Sequence, residues 1–176
     1  RSRTGDAPPC FDIFQALDPK RWETSRVITE LKRKTPFKGE LRKNFDLIAI
    51  TEDYFKNGAA AISVLTEMRN FGGSLDFLTL IRGQVDIPVL RKDFIITEYQ
   101  VWESFYSGAD AILLIADAIS LNKLEALYEL ASELGLHVLI EAHNTQKLKN
   151  ICNMGLAIIG VNCRNLRTME KGLILI

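Results

Sequence analysis

Apolar residues in this chain gather into short runs, and the runs recur behind glycine. Asn57-Gly58 leads into Ala59-Ala60-Ala61-Ile62-Ser63-Val64-Leu65, and Ser107-Gly108 leads into Ala109-Asp110-Ala111-Ile112-Leu113-Leu114. Leu134-Gly135 precedes Leu136-His137-Val138-Leu139-Ile140, and Met154-Gly155 precedes Leu156-Ala157-Ile158-Ile159-Gly160-Val161. A glycine in this place closes a helix, because it adopts the left-handed conformation without steric cost. A short apolar run bounded by turns then reads as a strand buried on both faces. Val27 to Leu31 and Pro88 to Arg91 add two more, for six predicted strands.

Helical spacing fills the intervals: Leu47 to Lys56, Leu75 to Arg82, Glu98 to Tyr106, Leu121 to Leu134 and Thr145 to Asn153. In the fourth, Leu121, Leu124, Leu127, Tyr128 and Ala131 recur every three or four residues and mark one apolar face. Strands alternating with helices predict a parallel sheet with right-handed crossovers. Two architectures fit, an open doubly wound sheet and a (β/α)8 barrel. The first strand is not followed by Gly-x-Gly-x-x-Gly, which weakens a dinucleotide-binding reading.

Composition narrows the class. The 176 residues are 47% hydrophobic and 25% charged, as expected of one globular domain with a sizeable core. The 22 basic and 22 acidic residues balance, so neither a nucleic-acid binder nor a polybasic membrane module is expected. The longest apolar run, Ala111 to Ala116, is too short to span a bilayer. The opening Arg-Ser-Arg-Thr-Gly-Asp lacks the apolar core of a signal peptide. Cys10, Cys152 and Cys163 are odd in number and far apart, which makes neither a disulfide framework nor a zinc pattern. The expected compartment is the reducing cytoplasm.

Polar residues collect at the C-terminal ends of the predicted strands. They are Glu30 and Lys32, Thr66 and Glu67, Lys92 and Asp93, Asp117, Glu141 and His143, and Asn162 and Arg164. Residues two apart in a strand share a face, so Glu30 with Lys32, Glu141 with His143, and Asn162 with Arg164 form same-face pairs. Any single pair is more simply a solvated loop start. Six strands ending alike suggest one site, because a barrel brings all these ends to a single mouth. Lysine and arginine there suit phosphate or carboxylate, and glutamate suits proton transfer. Pro36, Phe37, Phe71 and Phe94 lie near the same ends, either tucked into local packing or forming an apolar wall for an aromatic ring.

The motifs themselves resemble a known family. Glu30-Leu31-Lys32-Arg33-Lys34-Thr35-Pro36-Phe37-Lys38-Gly39 is similar to the first-strand motif of indole-3-glycerol phosphate synthase. Ala61 to Glu67 and Phe71-Gly72-Gly73-Ser74-Leu75 resemble its second strand and following loop. Pro88-Val89-Leu90-Arg91-Lys92-Asp93-Phe94-Ile95-Ile96 is the most specific match, followed by Tyr99-Gln100. Gly108 to Ala116, Leu139-Ile140-Glu141-Ala142-His143 and Ile159 to Thr168 match strands four to six, in order.

The resemblance implies a (β/α)8 barrel of tryptophan biosynthesis. Its members are carboxy-lyases that convert 1-(2-carboxyphenylamino)-1-deoxyribulose 5-phosphate to indole-3-glycerol phosphate, releasing carbon dioxide and water, without metal or organic cofactor. Carried over by motif, Lys92 is the general acid of ring closure, and Glu141 and Glu30 are acid–base carboxylates of the later dehydration. Either glutamate could instead orient a lysine. Lys32 binds phosphate or carboxylate, and Asn162, Arg164 and Thr35 hold polar groups. Pro36, Phe71, Phe94, Leu113 and Leu166 flank the anthranilate ring. The implied partner is this phosphorylated small molecule, with fusion to or association with another pathway enzyme left open.

The chain also departs from the pattern. Thr35-Pro36-Phe37 stands where the family has Ser-Pro-Ser, Ala142 replaces a valine, and Cys163 replaces a small polar residue. A whole barrel runs to about 250 residues. The implied division is an N-terminal extension over 1–26 and a partial barrel over 27–176, about six of eight units. The expected phosphate cradle then lies beyond Ile176. Two alternatives accompany this reading: an inactive barrel piece or pseudoenzyme, and a barrel like phosphoribosylanthranilate isomerase, which the Arg91-Lys92-Asp93-Phe94-Ile95 run disfavours.

Overall fold

We describe residues 10–142, 145–153 and 158–161 of a computed structural model of the chain. In chain order the elements are α1 (Ile13–Leu17), β1 (Ile28–Leu31), β2 (Lys34–Thr35), β3 (Gly39–Glu40), α2 (Leu47–Lys56), β4 (Ala61–Leu65), α3 (Met68–Phe71) and α4 (Asp76–Arg82). They continue as β5 (Val89–Lys92), α5 (Glu98–Tyr106), β6 (Ala111–Ile115), α6 (Leu121–Glu133), β7 (His137–Ala142), α7 (Thr145–Asn153) and β8 (Ile158–Val161). The six predicted strands form one parallel sheet in the order β1-β4-β5-β6-β7-β8. Each main strand pairs with the next along the chain, and the sheet curls into part of a (β/α)8 barrel rather than lying open.

Strand residues are apolar on both faces because both faces are covered. Leu31, Ile62, Val64 and Val89 face outward and pack with Leu47, Ile50, Leu78 and Ile81 of α2 and α4. Ile112, Leu114, Val138 and Ile140 do the same with Val101 and Phe105 of α5 and Leu124, Leu127 and Ala131 of α6. The opposite parity faces inward: Ala61, Leu90 and Ala111, joined by Ile28, Leu139 and Ile158. Ile13 and Leu17 of α1 pack into this inner cluster. Burying each such aliphatic side chain contributes about 1.5–3 kcal/mol.

The helices begin and end as their sequence dictates. Asp46, Thr97 and Ser120 each accept a backbone N–H of the first turn of α2, α5 and α6, and Thr97 with Gln100 makes a reciprocal capping box. Gly58, Gly108 and Gly135 close helices at φ of 82°, 86° and 75°. Gly155 lies outside the described residues. Three features were not anticipated: the β2–β3 ribbon, the single turn α3, and the short α1 within the N-terminal stretch.

The N-terminal ends of the strands are locked by one carboxylate. Asp110 is fully buried, and its Oδ1 accepts the Phe11 N–H at 2.8 Å. Its Oδ2 accepts the Val89 N–H at 2.8 Å and pairs with the Arg82 guanidinium. Arg82 in turn lies over the Phe11 ring, 4.8 Å from its centroid. At the same end the edge of the Phe14 ring meets His137, whose Nε2 is 3.7 Å from Asp12 Oδ1.

Candidate active site

Along each inner face the apolar layer gives way to chemistry toward the C-terminal end. Ile28 is followed at the same parity by Glu30, Leu90 by Lys92, and Leu139 by Glu141. Strand register sets their relative heights: Glu30 lies opposite Ser63, Leu65 opposite Lys92, and Ile115 opposite Glu141. Glu30 and Lys92, 62 residues apart, meet across β4: Lys92 Nζ donates to Glu30 Oε2 at 2.8 Å. Lys32 Nζ donates to the other oxygen, Oε1. All three side chains are half-buried, at 28% exposure for Glu30, 34% for Lys92 and 29% for Lys32.

Electrostatics fixes the charge on this cluster. Burial by itself pushes the Glu30 carboxyl up, but the Lys92 and Lys32 ammonium groups outweigh it and hold the carboxyl below its ordinary value. One carboxylate between two ammonium groups leaves this three-residue cluster with one net positive charge. The proton donors of the cluster are the lysines, and Glu30 is its acceptor.

The surrounding wall is mixed. Leu113 is buried at the same inward parity as Ala111. Phe71 is half-buried and is positioned by Glu67, whose carboxylate accepts the N–H groups of Arg69, Asn70 and Phe71 at 3.0, 2.6 and 3.1 Å. Gly72 then turns the chain at φ 65°, and Gly73 presses against the end of β4. A Cβ on Gly73 would stand 2.2 Å from the Leu65 carbonyl oxygen, so only glycine fits. Gly72 lies against the Lys34 side chain, which brings the β2–β3 ribbon beside the α3 loop. Thr35 is half-buried and its Oγ1 accepts the Lys38 N–H at 3.1 Å. Pro36, Phe37 and Phe94 are exposed.

The structure therefore brings Glu30, Lys32 and Lys92 together, and places Glu141 at inward parity and Leu113 on the inner wall. It sends other strand-end residues elsewhere. Thr66 and Asp93 bond to each other and to Arg91. Glu67 caps α3, and Asp117 lies 3.9 Å from Lys147. Parity separates the two groups: Thr66 continues the outward series Ile62 and Val64. Asn162, Arg164, Leu166 and His143 lie outside the described residues. Sequence reasoning missed Ser63, which is buried on the inner wall with its hydroxyl lacking a hydrogen-bond partner. It was detectable as the one polar residue in the run Ala59 to Leu65. Among the described residues no three His, Cys, Asp or Glu side chains are grouped to hold a metal ion. No described helix is long and apolar enough to cross a membrane.

Fold and cluster together define a (β/α)8-type protein with acid–base groups at the C-terminal mouth, where barrel active sites sit. Solved structures support the fold: a Yersinia pestis dihydropteroate synthase in complex with a sulfonamide drug superposes with TM-score 0.51 at 14% identity, over 78% of this chain and 62% of that one. The family model described as indole-3-glycerol phosphate synthase matches residues 1–173. Indole-3-glycerol phosphate synthase 1 of Streptomyces coelicolor is 46% identical over 170 residues, which is 97% of this chain and 62% of the relative. The Sulfurimonas denitrificans indole-3-glycerol phosphate synthase is 46% identical over 162 residues, 92% of this chain and 62% of the relative. The chain belongs to the indole-3-glycerol phosphate synthase family, and it spans less than two thirds of the length of these relatives.

Proposed function

We propose that this chain carries the proton-transfer centre of an indole-3-glycerol phosphate synthase. The reaction is the decarboxylative ring closure of 1-(2-carboxyphenylamino)-1-deoxyribulose 5-phosphate, followed by dehydration, in tryptophan biosynthesis. The observation that carries this reading is the Lys92–Glu30–Lys32 cluster in the mouth. In ring closure the aromatic carbon bonds to the ribulose carbonyl carbon, and the Lys92 ammonium gives its proton to the carbonyl oxygen. A half-buried ammonium at that point supplies the proton and stabilises the developing negative charge. Carbon dioxide then leaves and the ring regains aromaticity. In dehydration the new hydroxyl takes a proton from a neighbouring acid of the mouth and departs as water, while a carboxylate removes the proton that completes the indole, a role for Glu30 or Glu141.

Lys32 supplies the charge for the substrate's carboxylate or phosphate. Thr35, Asn162 and Arg164 hold its polar groups, and Pro36, Phe71, Phe94, Leu113 and Leu166 flank its ring. Holding the ring against the ribulose chain contributes through orientation, separately from proton transfer. Residues 1–26 form the extension and 27–176 the barrel portion in this reading, with the reaction in the cytoplasm. Association with another tryptophan-pathway enzyme is a further element of it.

The test is to incubate a full-length protein carrying this sequence with substrate and follow indole fluorescence. Product is expected from it and little or none from the 176 residues alone, and Lys92→Ala in the full-length protein is expected to lower turnover by about 10²-fold or more. An unchanged rate in Lys92→Ala would overturn the assignment. Because the chain covers 62% of its relatives' length, a second reading is a barrel piece that binds the substrate without turning it over. Binding without product would favour that one.

A further inference from the structure

Arg91, Lys92 and Asp93 are consecutive, yet only Lys92 turns into the mouth. Asp93 Oδ2 accepts the Thr66 hydroxyl at 2.5 Å and Arg91 Nη2 at 3.0 Å, while its Oδ1 accepts the Phe94 N–H at 2.8 Å. Arg91 Nε donates to Thr66 Oγ1 at 3.1 Å. Arg91 Nη1 reaches the Gln100 carbonyl at 3.1 Å, Ser104 Oγ at 3.0 Å and Glu103 Oε2 at 2.9 Å, all on α5. The Thr66 backbone N–H donates to the Lys92 carbonyl at 3.2 Å. Arg91 is 3% exposed and Thr66 6%. The residues on either side of Lys92 are thus held in one buried cage that joins β4, β5 and α5.

Anchoring α5 accounts for only part of this cage. Arg91 makes that anchor by itself, and Glu103 already supplies a carboxylate to its guanidinium. Asp93 bonds nothing on α5. Its contacts run to the β4 end through Thr66 and to the turn after Lys92 through the Phe94 N–H. Those contacts fix the backbone from which Lys92 and Phe94 both project. A carboxylate with both oxygens engaged by a hydroxyl, a guanidinium and a backbone N–H holds its geometry far better than an exposed turn. Shifts of about 1 Å in a reacting group cost up to about 10²-fold in rate.

We propose that Asp93, acting with Thr66, is a positioning residue that aims the Lys92 ammonium at Glu30 and at the substrate. The proposal rests on reading Lys92 as the acid of ring closure, but its test does not require turnover. Reductive methylation with ¹³C gives each lysine an NMR resonance, and loss of one peak in Lys92→Arg assigns that of Lys92. Glu30→Gln then reports where the Lys92 resonance falls once its carboxylate partner is gone. Asp93→Asn and Thr66→Val are expected to move the resonance toward the Glu30→Gln position, and Thr66→Ser, which keeps the hydroxyl, to leave it at the wild-type position. Where turnover is measurable, the first two variants should lower kcat by about tenfold to a hundredfold and leave KM within about threefold. If Asp93→Asn does not fold, the Thr66→Val and Thr66→Ser pair decides. A folded Asp93→Asn or Thr66→Val variant with the Lys92 resonance unmoved overturns the proposal. A full-length wild-type protein that makes no product would count against the proposed activity, while leaving the resonance test of Asp93 intact.

Discussion

The two ends of the barrel each centre on a carboxylate, and they treat it in opposite ways. Asp110, where the strands begin, is fully buried and takes two backbone N–H groups along with Arg82. Glu30, where they end, is 28% exposed and takes only two lysine side chains. Backbone donors cannot leave Asp110 without opening the N-terminal segment or β5. Lysines can swing away from Glu30 by rotating side-chain bonds alone. One cluster therefore holds the chain together, and the other is free to exchange partners, as the proposed function requires.

That contrast breaks if Asp110 proves dispensable. Asp110→Ala removes one member of a buried ion pair, leaves the Arg82 guanidinium without its carboxylate and orphans two backbone donors, so it should cost about 3–5 kcal/mol. Urea unfolding followed by circular dichroism measures this. A loss no greater than that of Glu30→Ala would mean that the two ends do not differ in the way described.

Glu30→Gln sharpens the other side. Pairs exposed to this degree contribute about 0–1 kcal/mol, so near neutral pH its unfolding midpoint should lie close to that of the parent. What difference there is at neutral pH should disappear in acid. The folded carboxyl lies below its ordinary value of 4.5, so its contribution is present above that pH and is lost as the pH falls from there through the folded pKa. Glu30→Gln should lack that part of the acid loss, and the two stability curves should converge at low pH. His137 is also held below its ordinary value, by burial against the opposing pull of Asp12, and its contribution falls away as the pH drops below about 6.5. Being common to both proteins, it cancels in the difference. Curves that stay parallel from neutral pH into acid would show that Glu30 is not held ionised by its lysines.

The fold was legible because its signals were periodic and local. The glycine-led apolar runs and the helical intervals gave the six strands and five of the helices, and α2, α5 and α7 begin and end at the residues the spacing indicated. The ribbon at Lys34–Glu40 and the turn at Met68–Phe71 carry no periodicity, and α3 depends on one side chain, Glu67, folding back onto backbone N–H groups. The meeting of Glu30 with Lys92 followed from strand parity and barrel closure. What strand-end position alone could not say is which polar residues turn inward. Thr66 and Asp93 looked equivalent to Lys92 until the outward parity of Thr66 and the buried guanidinium of Arg91 claimed them.

Ser63 tests the comparison at its finest grain. Its hydroxyl lies on the inner wall in register with Glu30, is buried, and has no hydrogen-bond partner. The Asp110 carboxylate at the opposite end differs, because both of its oxygens are engaged. An unsatisfied buried hydroxyl costs about 1–3 kcal/mol, partly offset by the contacts its oxygen makes. Ser63→Ala should therefore stabilise the chain, by about 1 kcal/mol at most, whereas substitution at a satisfied buried polar site such as Thr51, whose hydroxyl donates to the Leu47 carbonyl at 2.7 Å, should destabilise it. The paired unfolding midpoints of Ser63→Ala and Thr51→Ala measure the sign directly. If Ser63→Ala loses stability as Thr51→Ala does, the hydroxyl has a partner in solution, and Ser63 is as fully satisfied as the Asp110 carboxylate.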